Sequence, residues 1–369
     1  MMGVLLCQNV TCINIVTFNL LHVMKEHKNI TMKDIAKALN ISVATVSRAL
    51  NNSSRISSER RQMVQAYARE HNFSPNIIAK DLRNTKVKSA KIIGVILPEV
   101  IHYYFASVLD GVEEEARKRG YRVLVGQSHE QYSREVELCQ SFNESRVCGI
   151  IVSLAKETKE YGHFLELQRS GLPLVFFDRI CHGINASRVV VDDYRGVYKA
   201  VSYLIKTGCR RIAFFGSPMH LEISKNRYNG YKDALLKYGL PIDESIVCIC
   251  DNREDAEQIT PELLQRADRP DAFFAINDDT AIGILRMVKR SGLRVPEDVS
   301  IFGFSDGFRS LASDPQLTSV NQRGQEVGRE AVDILVSEVE GILPTEKANK
   351  RVVKTEMVLR GTTKIISEE

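Results

Sequence analysis

A chain of 369 residues is too long for one small domain and makes two or three units. Its eight cysteines show no metal-ligand spacing, and a protein of this size needs no disulfide staples. The formal net charge is +4, but residues 24–91 hold fourteen Lys/Arg against five Asp/Glu, roughly +9, which leaves about −5 for the remainder. Basic charge is thus concentrated in one segment, as contact with phosphates requires. Cys248-Ile249-Cys250 lies in an apolar run without a second pair nearby and reads as core or edge thiols, with no metal site and no cofactor.

In chain order, residues 1–23 are apolar but lack a cationic start, a small-residue cleavage site and an unbroken span. The run is too weak for a transmembrane helix and atypical for a signal peptide. Residues 31–51, TMKDIAKALNISVATVSRALN, describe two short helices joined by a tight turn. Thr31 is an N-cap, and Asp34 sits where a carboxylate meets free helix-start amides. Ile35, Ala36 and Leu39 recur on one face. Asn40 suits the turn, and Ser42 caps a second helix with Val46, Ala49 and Leu50 inward. Its outward side offers Val43, Ala44, Thr45, Ser47 and Arg48: small groups first, then one long cation, the surface a recognition helix needs to approach base edges. Ser57 or Ser58 opens a third helix, with Met63, Val64, Ala66, Tyr67 and Ala68 available to close a three-helix core. Phe73-Ser74-Pro75-Asn76 is a further helix start, and Ile77 to Arg83 is helical in pattern but too short to persist alone.

From Ile92 the pattern becomes alternating strands and helices. Strands are expected at Ile92–Leu97, Arg122–Gly126, Gly149–Ser153, Leu174–Asp178, Arg211–Gly216, Ala272–Ile276 and Val299–Phe304, with shorter runs RVVV and LTSV. Amphipathic stretches lie between most of them, which is the signature of parallel sheets covered on both faces. Ligands of such sheets bind beyond the carboxyl ends of the strands. There stand Glu99, His102, Tyr103, Tyr104 and Phe105; Asp178 and Arg179; Asp192 and Asp193; Asn277 and Asp278; Ser305 and Asp306; and Asn321 and Gln322. Arg227 opens the helix-like RYNGY. Aromatic faces, a guanidinium and carboxylates suit a sugar or sugar acid. Singly, Phe105 also suits a helix core, and Asp192 or Asp193 a helix cap. No nucleophile elbow, P-loop or metal cluster is present, so an enzyme is not expected.

The TxxDIA…NIS…TVSRALN run, the SPN opening and Leu82 resemble the DNA-binding headpiece of the LacI/GalR (lactose-repressor) transcription factors, from Thr31 to Arg83. GLRVPEDVSIFGFSD (Gly292–Asp306), LTSVNQ and the closing LRGTT resemble the periplasmic-binding-protein-like effector domain of the same family, over Lys91 to Thr363. The resemblance implies an N-terminal all-α helix-turn-helix headpiece (24–74), a hinge helix and linker (75–91), and an α/β two-lobed domain with parallel sheets and three crossovers (92–363). It also implies a start a few residues before the first headpiece helix, at Met24, with residues 1–23 as a non-native extension from an upstream start codon. It implies a cytoplasmic, nucleoid-associated homodimer, away from the membrane, on double-stranded DNA at a pseudo-palindromic operator. Val43, Ala44 and Arg48 would read the major groove, Arg55 bases or backbone, and Leu82 the minor groove as a wedge. Ser42, Thr45, Ser47 and Asn51 would hold phosphates. The family's ligand contacts map onto Tyr104, Phe105, Arg227, Asn277 and Asp278, with His102, Asp178, Arg179, Ser305, Asp306 and Gln322 beside them at the strand ends. A repressor switched by a sugar or sugar derivative is expected. A corepressor-dependent or activating regulator stays open, and a transport-type sugar-binding protein is the competing class. Two departures leave the ligand open among a hexose, pentose, uronate, phosphorylated sugar or purine: Ser305 where many relatives carry Asp, and His102-Tyr103 where Asn-Pro is common.

Overall fold

The computed structural model describes residues 30–71, 73, 91–345 and 347–366. The expectations for residues 1–23 and for the hinge, including Leu82, lie outside the described residues. The chain divides into two compact units, one up to Lys86 and one from Val87.

In the first unit, α1 (Met32–Ala38), α2 (Val43–Leu50) and α3 (Ser58–Glu70) follow the sequence pattern closely. Thr31 and Asp34 form a reciprocal capping box, satisfying amide groups that no helical carbonyl can reach. Asn40 takes the turn in a left-handed conformation, φ 50°, which asparagine tolerates. Ser42 caps α2 and Ser57 caps α3. Ile35, Ala36, Val46, Ala49, Val64 and Ala68 form the buried core, and Leu50 and Tyr67 pack around it. Met63 and Ala66, expected in this core, are exposed. They lie one and two residues from the inward Val64–Ala68 line, on the far side of α3.

The second unit has two lobes, each a six-stranded sheet. Lobe one runs β11-β5-β4-β3-β1-β2, where β1 is Ile92–Leu97, β2 Arg122–Gln127, β3 Gly149–Val152, β4 Leu174–Phe177, β5 Ser187–Val191 and β11 Lys350–Val353. Lobe two runs β12-β10-β9-β8-β6-β7, where β6 is Ile212–Gly216, β7 Val247–Ile249, β8 Ala272–Ala275, β9 Ser300–Ser305, β10 Thr318–Asn321 and β12 Glu356–Val358. All pairs are parallel except β10 with β12, which run antiparallel, so the second sheet is not purely parallel as expected. The inner strands are β-branched and aromatic, and most of their residues are buried, whereas the edge strands β2, β7, β11 and β12 are largely open. One face of lobe one is covered by α4 (Tyr103–Lys118) and α12 (Gly324–Val339), the other by α5 (Tyr132–Glu144) and α6 (Gly162–Arg169). Lobe two is covered by α7 (Asp193–Lys206) and α8 (Glu222–Lys237) on one face, and by α9 (Arg253–Leu264) and α10 (Asp278–Arg290) on the other. A short α11 (Phe308–Ala312) follows β9. The chain passes between sheets three times: after β5, after β10 and between β11 and β12. These crossovers place the carboxyl ends of both sheets at one cleft. No helix among the described residues is long and apolar enough to cross a membrane.

Candidate functional site

The first unit presents one chemically distinct face. Ser42 accepts the Thr45 amide at 3.1 Å, which fixes the start of α2. Ser42, Val43, Ala44 and Arg48 are exposed along that helix, with Thr45 and Ser47 half-buried beside them and Asn51 exposed at its end. Val43 is 38% exposed although apolar, as an unpartnered recognition surface would be. Arg48 enters no ion pair among the described residues. Arg55 is exposed on the loop after α2. That loop is clamped from α3: Arg61 Nη2 donates to the Ile56 carbonyl at 3.2 Å, and Gln65 Nε2 to the Ala49 carbonyl at 3.2 Å and to Asn52 Oδ1 at 2.8 Å. The sequence reading missed Arg61 and Gln65, whose partners lie up to 16 residues away.

The second unit holds a cavity of about 330 Å³ between its lobes. His102, Tyr104, Phe105, Asp178, Arg179, Arg227, Asn277, Asp278, Ser305 and Gln322 all line it, as expected from the strand ends. Asp306 does not: its carboxylate turns to Arg360 at 2.7 Å and to Asn321 Nδ2 at 3.0 Å. Lining residues that the sequence reading did not single out as binding residues include Glu130, Lys156, Ser217, Asp251, Asp279 and Arg309.

The cavity floor is built on paired charge. Arg227 does not open a helix but sits inside α8, five residues from its start. It is buried, donates from Nε to Asp193 Oδ1 at 2.7 Å and from Nη1 to the Ile276 carbonyl at 2.8 Å, and its guanidinium lies 4.0 Å from the centre of the Phe304 ring. Burial pushes the Asp193 carboxyl up to about 6, against the pull of Arg227. Asp192, by contrast, is the cap of α7. Arg179 donates to Glu130 at 2.6 Å and rests over the Phe105 ring at 5.7 Å. Asp178, beside it, is buried, and burial raises its carboxyl although Arg179 and Arg227 oppose this. Burial also holds the Tyr104 hydroxyl well above its usual range, with Asp178 and Asp193 adding to the effect.

Asp278 and Asn277 have structural as well as lining positions. Asp278 accepts Ser319 Oγ at 2.6 Å and the Gly307 amide at 2.7 Å, tying α10 to β10 and to the turn before α11. Burial raises its carboxyl to about 6. Asn277 caps α10 by accepting the Thr280 amide at 2.8 Å and donates to the Asp251 carbonyl at 2.7 Å. Ser305 Oγ donates to Gln322 Oε1 at 2.9 Å.

The lobes meet across this cavity. Lys156 of lobe one pairs with Asp251 of lobe two at 2.8 Å. His102 lies 3.3 Å from Asp279 and 3.3 Å from Glu99, and the bond to Asp279 raises the imidazole against the opposing effect of burial. Three non-glycine residues that line the cavity take positive φ: Glu130, Asp178 and Ser305 have φ of 63°, 55° and 129°. Such conformations cost on the order of 1 kcal/mol or more each and cluster where side chains must be aimed.

Comparison with known proteins gives concordant matches. Residues 31–76 match the family described as bacterial regulatory proteins, lacI family, and residues 201–363 match the periplasmic binding protein-like domain. The chain is 30% identical to the HTH-type transcriptional repressor CytR of Escherichia coli (strain K12), over 93% of this chain and 98% of that protein. It is 32% identical to the ribose operon repressor of Bacillus subtilis (strain 168), over 83% of this chain and 90% of that protein. A solved transcriptional regulator CelR–cellobiose complex superposes with a TM-score of 0.69 at 26% identity, covering 90% of this chain and 99% of that one.

Proposed function

Because the chain belongs to the LacI family of bacterial regulatory proteins, we propose that it is a transcriptional repressor whose hold on an operator is switched by a sugar or sugar derivative in the inter-lobe cleft. The observation that carries this reading is the cleft itself: a cavity of about 330 Å³ lined by buried polar groups from both lobes, which a ligand can bridge. Closing or opening two lobes around a ligand is a difference in free energy between two geometries, and only such a difference can move a DNA-binding equilibrium.

On the DNA side, Val43 and Ala44 would make apolar contact with thymine methyls, and Arg48 would grip guanine O6 and N7. Ser42, Thr45, Ser47 and Asn51 would set register on phosphates, with Arg55 on bases or backbone. Leu82 would wedge the minor groove of a pseudo-palindromic site held by a homodimer in the cytoplasm. Family membership favours a regulator over an enzyme or a transport protein.

The test is to select genomic fragments on the purified full-length chain, footprint them, and repeat the footprint with candidate sugars. A shared pseudo-palindrome whose occupancy changes with one sugar is expected. Release marks an inducer and tightening a corepressor. Binding that shows no preference over random DNA would contradict the proposal.

A further inference from the structure

The charge arrangement of the cavity narrows its ligand. Every cation that lines it already has a carboxylate within reach: Lys156 with Asp251 at 2.8 Å, Arg179 with Glu130 at 2.6 Å, Arg227 with Asp193 at 2.7 Å, and Arg309 with Asp279. Asp279 also faces His102. Asp178, in contrast, is a buried carboxylate without a hydrogen-bond donor among the described residues, its nearest cation being Arg179 Nε at 4.0 Å. An entering phosphate or carboxylate would find no unpaired cation on the wall and would meet like charge at Asp178, and like charges set face to face are strongly unfavourable.

Two further polar groups on the floor lack hydrogen-bond partners among the described residues, the buried Tyr104 hydroxyl and Arg179 Nε. Two donors beside one carboxylate acceptor match sugar hydroxyls, which donate and accept at once. The mouth is different. Ile101, Tyr103 and Phe308 line it while remaining 75%, 50% and 72% exposed. Tyr103 stands against Gly307 across the cleft, where an added Cβ would come within 2.9 Å of it. Large apolar side chains left open beside a polar floor mark a contact surface, and a free sugar, hydroxylated all round, would not use it.

We infer that the ligand is an uncharged glycoside, its sugar hydroxyls on Tyr104, Asp178 and Arg179 and a flat aglycone stacked against Tyr103 and Phe308 at the mouth. The inference rests on the reading of this cleft as the effector site. Aryl O-glycosides and nucleosides share the required chemistry, a neutral sugar bearing a flat ring.

Calorimetric titration of the full-length chain tests it, with four sets of probes: neutral aldoses, their phosphates and uronates, aryl O-glycosides, and nucleosides. The anionic forms should bind at least about a hundredfold more weakly than the neutral sugar. One of the two glycoside sets should bind about tenfold more tightly than its free sugar. Phe308→Ser, at an exposed position, should bring the glycoside-to-sugar ratio close to one. A phosphate or uronate that binds as well as the neutral sugar, a free sugar that matches the glycosides, or silence from every glycoside overturns the inference. If an anionic sugar binds and Asp178→Asn changes its affinity, the ligand class is wrong but the site stands. If a glycoside binds with the same affinity to the parent, Asp178→Asn and Phe308→Ser chains, the site itself is misplaced.

Discussion

At the residue scale, two arginines divide the proposed work. Arg48 is exposed on α2 without an ion-pair partner among the described residues, so its donors are available to a base. Arg48→Ala should cost roughly 1–3 kcal/mol in operator affinity and relax choice at one base pair per half-site. Competition binding on operator and random duplexes checks this, and equal weakening on both would make Arg48 a phosphate contact. The sequence points to Arg227 as a ligand-side cation but gives no sign of its counter-ion: Asp193 lies 34 residues away and suits a helix cap equally well. The pairing changes the expected outcome of mutation. Arg227→Ala leaves Asp193 buried beside an apolar ring, so beyond losing the ligand response the variant should lose about 3–5 kcal/mol of stability. Chemical denaturation of the variant, alone and with Asp193→Asn added, checks it: the second change should restore part of the loss. Lys156, Asp251, Asp279 and Arg309 escaped the sequence reading for a related reason. Charges in loops, as at Lys156 and Asp251, or at helix starts, as at Asp279 and Arg309, carry no periodicity, and their partners are set by how distant parts of the chain come to face each other.

At the element scale, strands buried on both faces announced themselves as β-branched and aromatic runs. The short edge strands β11 and β12 did not, because one side of each is solvated and their sequences are mixed. Asp278 shows an element tied down by one side chain. Gly303 makes room for it, since a Cβ there would lie 2.5 Å from Asp278 Oδ1. With Asp306 nearby and burial dominant, the Asp278 carboxyl titrates near 6 against an ordinary 3.8. A raised acid favours the protonated form when folded, so this share of stability is greatest below about pH 4 and declines as pH rises to about 6, by at most about 3 kcal/mol. Thermal melts from pH 4 to 7 on the parent and on Asp278→Asn check it. The variant should melt lower, because an amide cannot accept from both Ser319 and the Gly307 amide, and its melting temperature should fall less steeply with pH. A slope as steep as the parent's would assign the titration to another group.

At the scale of the whole second unit, the cleft is held by charge that crosses it: Lys156 with Asp251 and His102 with Asp279. The family resemblance foretold two lobes and three crossovers, yet not which residues latch them, and His102-Tyr103 stood out only as a departure from a common Asn-Pro. The raised His102 imidazole gives the latch a pH direction. Its contribution is fully present below about 6.5 and is lost as pH rises through the raised value. Ligand dissociation should therefore quicken as pH rises above about 6.5, and His102→Gln should remove that dependence; stopped-flow release of the bound glycoside measures it, and an unchanged pH profile in the variant would remove His102 from the latch.

The central claim is that occupancy of the cleft sets affinity for the operator. Fluorescence anisotropy of the full-length chain on its selected operator, with and without saturating ligand, tests it most directly. A shift in operator Kd of at least about tenfold, absent in Asp178→Asn, is the predicted result. Ligand binding in the cleft, verified by calorimetry, with no change in operator Kd would contradict it.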